Sequence, residues 1–196
     1  MGKIISGKNT SKKEVIIKKA ASLFRVKGFN AASMRELAEV VGVEAPSLYN
    51  HIGSKSELLQ SICFRVASEF TTQLTETENI TSTISSKIEL IIRFHITRML
   101  HKFDEVFVAN HEWKHLQEPF LSNFLNQRRS YEKHLTAIIE EGVKTKELKN
   151  INPYVAVLTL LSAVRGLEFW QRHKKNISAK ILEDGMVTHL LNGIIK

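Results

Sequence analysis

The strongest catalytic signal in this chain is the run His111-Glu112-Trp113-Lys114-His115. On a helix, two histidines one turn apart bind zinc while the glutamate between them polarises a water. Such a centre also needs a third ligand and an open coordination position, and no downstream pattern supplies the ligand. The pentapeptide is short and the chain holds eight histidines, so a chance match is unsurprising. The plainer reading is a helix surface with Trp113 as its anchor. No Gly-rich phosphate loop, nucleophile elbow or paired-carboxylate arrangement is visible. Cys63 is the single cysteine, which excludes an intrachain disulfide and a multi-cysteine zinc site. It falls on an apolar stripe, where core filling is expected over redox sensing. The expectation is therefore no enzyme, no cofactor and no resident metal.

Recognition chemistry is better represented, in Gly28 to Leu59. Ser33-Met34-Arg35-Glu36 reads as a capping box, the Ser33 hydroxyl accepting from the Glu36 N–H and the Glu36 carboxylate reaching back to the Ser33 N–H. A helix should begin at Met34, with Met34, Leu37, Ala38 and Val41 on one face, and stop at Gly42, which adopts positive φ without a Cβ penalty. Glu44 is the next expected N-cap, and Pro46 lies early enough that its missing N–H costs nothing. The short helix that follows points Leu48 and Ile52 inward and Ala45, Ser47, Tyr49 and Asn50 outward, with Gly53 as its expected end. Ser54-Lys55-Ser56-Glu57 repeats the capping logic and opens a third helix with Leu58, Leu59, Ile62, Cys63 and Val66 buried. This is the layout of a helix-turn-helix, whose second helix lies in a DNA groove.

These residues resemble the N-terminal DNA-binding domain of the TetR family of bacterial transcriptional regulators, over roughly residues 10 to 60. Phe24, Gly28 and Phe29 look like the end of its first helix and Ser33 to Ala38 like its second. Leu48-Tyr49-Asn50-His51 with Ser54 to Leu58 looks like its most characteristic stretch. Ile52 takes a place where the family usually has Phe, and Pro46 that of a small residue. The resemblance implies that Ser33, Tyr49, His51 and Lys55 meet phosphates while Ala45, Pro46, Ser47 and Asn50 face bases. The candidate DNA-contacting set is thus Ser33, Arg35, Ala45, Pro46, Ser47, Tyr49, Asn50, His51 and Lys55.

The charge distribution agrees with such a partner. Of a formal net charge of +8, most lies in residues 1 to 27, which carry Lys3, Lys8, Lys12, Lys13, Lys18, Lys19, Arg25 and Lys27 against Glu14 alone. Basic residues beside a groove-reading helix attract the phosphate backbone whatever its sequence; the bland alternative is a solvated tail and helix face. With 196 residues and 43% hydrophobic content the chain can bury a small head and a larger second domain. No secretory leader or membrane-length apolar run is seen, so a cytoplasmic location is expected and no membrane partner.

The periodicity predicts an all-α fold, and the resemblance implies an N-terminal three-helix helix-turn-helix domain followed by a C-terminal helical bundle for ligand binding and dimerisation. The expected divisions are a flexible basic arm over 1–10, the helix-turn-helix domain over 11–54, a connecting helix over 55–74, and a ligand-binding and dimerisation domain over 84–196. Helix one is expected from Lys12 to Lys27 with Val15, Ile16, Ala20, Leu23 and Phe24 inward. Further helices are expected at about Ser85–His101, Asp104–His115, Phe120–Lys144, Tyr154–Trp170 and Ser178–Ile195. The stretch Tyr154 to Trp170 is apolar nearly all round and needs cover on every side. With the one-sided final helix it is expected to form half of a four-helix homodimer interface, as the last two helices do in the family it resembles, the alternative being an antiparallel pair buried within one chain. Two copies would read a palindromic operator, whose half-sites lie about 34–36 Å apart.

Polar groups studding the second domain, namely Arg93, His95, Arg98, His101, Trp113, Arg128, Tyr131, Arg165 and Trp170, suggest a pocket with apolar walls and a few anchors. The ligand-binding set proposed from them is Arg93, Arg98, Trp113, Arg128, Tyr131, Arg165 and Trp170. The order His111-Glu112-Trp113, Glu118-Pro119, Arg128-Arg129 with Tyr131-Glu132, and the late Arg165 and Trp170 is also similar, more weakly and over Ile88 to Asn192, to a TetR branch whose members often sense acyl-CoA thioesters. That similarity implies arginines on the coenzyme phosphates and an acyl chain in the bundle. A cationic or aromatic lipophile held by Trp113, Trp170 and Glu168 or Glu112 is the other effector considered. The function implied is a ligand-responsive, homodimeric repressor of transcription. The competing reading is a basic helical module that binds protein or RNA and has no operator preference.

Overall fold

The structure, a computed structural model, describes residues 12–173 and 177–196; the expected 1–10 arm, with Lys3 and Lys8, lies outside them. Ten α-helices follow in order: α1 Lys12–Lys27, α2 Met34–Val41, α3 Ala45–Tyr49, α4 Lys55–Asn79, α5 Ile84–His101, α6 Phe103–His111, α7 Phe120–Lys144, α8 Pro153–Arg165, α9 Leu167–His173 and α10 Ala179–Ile194. No strand is present among the described residues beyond an isolated bridge between Leu148 and Ile195.

Local chemistry sets the ends of the head helices. Both halves of the Ser33/Glu36 capping box form, and Gly42 closes α2 at φ 79° with its N–H on the Ala38 and Glu39 carbonyls. Glu44 takes the N-cap place of α3 but makes no side-chain cap bond. α3 ends at Tyr49 with Asn50 as C-cap, three residues before the Gly53 expected to stop it. At α4 only half of the second box appears: the Ser54 hydroxyl accepts from the Glu57 N–H, while the Glu57 carboxylate accepts the Gly53 N–H at 2.8 Å. On α1, Ile16, Ile17, Ala20, Ala21 and Phe24 are buried; Val15, expected inward, is exposed.

Two apolar cores result, and α4 belongs to both. The first joins α1 to α3 with Leu58, Leu59, Ile62 and Cys63 of α4, and takes in Val108, Ala109, Leu116 and Phe124 from α6, α7 and the segment between them. The second joins Leu74 of α4 to α5, α7, α8 and α10. α4 runs five residues past the expected Leu74, because Thr77 is buried and the Lys87 ammonium donates to the Glu78 carbonyl at 2.8 Å, holding the polar end against the bundle. The expected helix Tyr154–Trp170 is divided at Gly166 into α8 and α9. The two helices expose Tyr154, Val155, Leu158 and Phe169, and α10 exposes Ile181.

Candidate functional site

The outer face of the head carries most of the residues proposed to meet DNA. Arg35, Pro46, Tyr49, Asn50 and His51 are exposed, and Ala45 and Ser47 are half-buried beside Leu48, which anchors α3 in the core. Arg35 lies 3.5 Å from Glu39 one turn on. Ser33 is committed to its cap, its hydroxyl also donating to Glu36 at 3.0 Å. Glu36 in turn bonds Lys27, and that bond with the Ser33 N–H holds its carboxyl down at about 2.

Lys55 differs from expectation. Its ammonium donates to the carbonyls of Phe29 at 2.8 Å, Asn30 at 3.2 Å and Ala32 at 2.9 Å, and lies 4.6 Å from the Phe29 ring centre. A lysine has three N–H donors. None is left for a phosphate, and Lys55 clamps the α1–α2 loop to the start of α4.

The segment His111 to His115 is not the continuous helical turn a zinc motif requires. α6 ends at His111, and Trp113–His115 form a separate 3-10 turn. Each group has another partner. The Glu112 carboxylate accepts the Phe29 N–H at 3.0 Å, His115 stacks on Phe29 with centroids 5.4 Å apart, and His111 Nε2 bonds Glu168 at 2.9 Å. Among the described residues no group of three or more His, Cys, Asp and Glu side chains could hold a metal. These contacts hold the head on α6, as does the ion pair of Arg25 with Asp104 at 2.5 Å. Cys63 is buried, and desolvation pushes its thiol up to about 12.

Between α4, α5, α6, α7 and α8 lies a cavity of about 100 Å³, walled by Val66, Phe70, Met99, Val106, Leu161 and Val164 and bearing His95, Arg128, Tyr131, Glu132 and Arg165. Tyr131 and His95 are hydrogen-bonded, Oη to Nε2, at 2.7 Å. Burial first and then the Arg165 charge push His95 down to about 4, and burial raises the Tyr131 phenol, so both are neutral near pH 7. The Arg128 guanidinium lies 5.9 Å from the ring centres of both Trp113 and Phe124.

Three of the seven proposed ligand residues, Arg128, Tyr131 and Arg165, are brought together here. The other four are not. Arg93 is held by Glu89, Glu183 and Asp184 and pins α5 to α10. Arg98 pairs with Glu69 at 3.4 Å and opens on a separate groove with Lys18, Arg25 and Lys102. Trp113 packs against the head core, and Trp170 lines another hollow beside Leu182 and Met186. The pair of tryptophans imagined around a cationic lipophile is thus split, with Glu112 and Glu168 engaged elsewhere. Sequence reasoning missed Val66 and Phe70 as cavity wall; the apolar period of α4 beyond Cys63 was the available signal.

The comparisons with known proteins follow the same two-part division. Residues 16–62 match the family described as bacterial regulatory proteins, tetR family, and residues 81–194, more than half of the chain, match the tetracyclin repressor-like C-terminal domain. The chain belongs to the TetR family. One relative, the uncharacterised HTH-type transcriptional regulator YerO of Bacillus subtilis, is 44% identical over 52 residues, 26% of this chain and 18% of the relative. The HTH-type transcriptional repressor KstR2 of Mycolicibacterium smegmatis is 24% identical over 138 residues, 68% of this chain and 65% of the repressor. The matched segments thus span less than two thirds of these relatives' lengths. Two solved structures share the fold. The ketosteroid transcriptional regulator KstR2 of Mycobacterium tuberculosis superposes with TM-score 0.88 at 17% identity, covering 98% of this chain and 100% of that one. AibR, solved with isovaleryl coenzyme A and operator DNA, gives TM-score 0.80 at 22% identity, covering 92% and 98%. No helix among the described residues is long and apolar enough to cross a membrane.

Proposed function

We propose that this TetR-family protein is a homodimeric repressor, released from a palindromic operator when a small lipophilic or acyl-CoA-type effector occupies the cavity between α4 and α8. The observation that carries the reading is the double membership of α4. Leu58, Leu59, Ile62 and Cys63 are core residues of the DNA-reading head, and one to two turns later Val66 and Phe70 form cavity wall. An effector that prefers a wider cavity favours a different placement of α4, and Lys55 transmits that placement to the α1–α2 loop. α6 acts in parallel, lining the cavity with Val106 and Ala109 and holding the head through Asp104. Two arrangements are coupled to ligand only by differential affinity.

In this reading residues 11–54 form the head, α4 the connection, and 84–196 the sensing and dimerising domain. Ser33, Arg35, Tyr49 and His51 lie toward phosphates and Ala45, Pro46, Ser47 and Asn50 toward bases. Support for the dimer comes from Tyr154, Leu158, Phe169 and Ile181, exposed by 66%, 52%, 70% and 67%. Large apolar side chains left exposed on α8, α9 and α10 are of the kind an association surface covers. That AibR was solved with isovaleryl coenzyme A and operator DNA agrees with the effector class. Displacement from operator DNA by a panel of acyl-CoAs, set beside lipophilic cations, tests the proposal. Release by an acyl-CoA is expected, and release by no member of either set while DNA binding persists refutes effector control.

A further inference from the structure

Arg128 and Arg165 bring two guanidinium groups to the wall of one cavity, and among the described residues neither reaches a carboxylate in an ion pair. Three other arginines of the body are paired. Arg65 holds Glu105, Arg93 holds Glu183 and Arg98 holds Glu69. Glu132 is the acid of the cavity wall, and its side chain is exposed at the rim. The remaining wall is uncharged, apolar except for Thr71, Asn110 and Gln127, and the neutral His95–Tyr131 pair adds no compensating charge. Arg128 is half-buried and is disfavoured first by desolvation and then by the like charge of Arg165, which is itself exposed at the cavity mouth, with the Glu132 charge a partial offset. An anion between them relieves both costs, and a planar carboxylate suits the forked donors of a guanidinium.

The size of the space narrows the identity of that anion. At about 100 Å³ the cavity is smaller than the roughly 300–1,000 Å³ of sites that enclose whole drug-sized ligands. At that volume, before any widening, a nucleotide phosphate does not fit together with an apolar group. We propose that the cavity takes an apolar body that carries its own carboxylate, held between Arg128 and Arg165. The source is either a free carboxylic acid or an acyl-CoA whose acyl group ends in a carboxylate. This rests on the reading of the cavity as the effector site.

The test is calorimetric titration of the full chain with butanoate, hexanoate and octanoate, with the primary amide of each, and with hexanoyl-CoA and adipoyl-CoA. An acid is expected to bind at least about tenfold more tightly than its amide, or adipoyl-CoA more tightly than hexanoyl-CoA by the same factor. Arg128→Gln and Arg165→Gln should each weaken the carboxylate ligand by roughly tenfold or more and leave the uncharged one unchanged. Arg165→Lys should restore part of the loss. The thermal midpoint of the ligand-free Arg165→Gln protein should not fall, whereas a structural arginine would lower it. Amides that bind as well as acids, or variants that leave acid binding intact, overturn the proposal. Equal weakening of hexanoyl-CoA and adipoyl-CoA places the coenzyme phosphates on the arginines, which overturns this inference and leaves effector control standing. Binding by no member of the panel counts against both.

Discussion

The carboxylate of Glu112, at the end of α6, accepts the backbone N–H of Phe29, just past the end of α1, at 3.0 Å. A residue of the sensing bundle therefore satisfies a donor of the DNA-reading head, and His115 stacks on the same Phe29 ring. Glu112→Ala should destabilise the protein by about 1–2 kcal/mol, since a hydrogen bond to a charged group is lost and a partly buried N–H is left without its acceptor. Differential scanning calorimetry should show a midpoint lowered by roughly 2–4 °C per kcal/mol. The head should also respond less to effector, read as a higher ligand concentration for half-release of DNA.

Lys55 and Tyr49 separate two ways of losing DNA binding. Lys55→Met removes three carbonyl contacts that fix the α1–α2 loop and should cost about 1–3 kcal/mol of head stability. Tyr49, exposed by 52%, should be removable without a change in unfolding midpoint. Tyr49→Ala should weaken binding to all duplexes and reduce the salt slope, while changes at Ser47 or Asn50 alter sequence preference. Salt titrations of fluorescence anisotropy distinguish these outcomes.

The Lys27–Glu36–Ser33 cluster gives the head an acid limit. Glu36 is held at about 2, below its ordinary 4.5, by the Lys27 hydrogen bond and then the Ser33 N–H. A carboxyl with a depressed folded value stabilises above its unfolded value and loses that effect as pH falls through the folded one. Glu36→Gln should therefore be less stable than the parent at neutral pH, with the difference closing between about 4.5 and about 2. Urea midpoints measured across that range check it.

Leu158 and Ile181 present apolar surface on α8 and α10. Leu158→Glu or Ile181→Glu should weaken self-association by at least about 2 kcal/mol, roughly 30-fold, because a charge is left in a desolvated contact. Helix content should stay the same. Sedimentation velocity across a concentration series reads the shift; a parent chain that is monomeric at micromolar concentration removes the dimer from the account.

The parts legible in the sequence were those governed by neighbours in the chain. Ser33 and Glu36 are three residues apart, Gly42 terminates α2 by its own conformational freedom, and α7 runs from Phe120 to Lys144 as its period and the preceding Pro119 predict. Parts decided by distant partners were misread. Arg93 has the composition of a ligand anchor until Glu183 and Asp184, some ninety residues on, are placed against it. Lys55 was assigned to phosphate because its carbonyl partners lie in a loop 23 to 26 residues earlier. The polar end of α4, Thr75 to Asn79, has linker composition, yet packing of Thr77 and the contact from Lys87 keep it helical. The cavity was half legible, since Arg128, Tyr131 and Arg165 are conspicuous polar residues in apolar helices while its wall residues look like any core.

If α3 is laid on base edges by a symmetric pair of subunits, the protein should select an inverted repeat. Selection of genomic fragments by the purified full-length protein at moderate ionic strength, followed by competition with random duplex, tests it most directly. The account requires enrichment of an inverted repeat with half-site centres about 34–36 Å apart, bound more tightly than random duplex by roughly 1,000-fold or more. Equal retention of the inverted repeat and random sequence would contradict it.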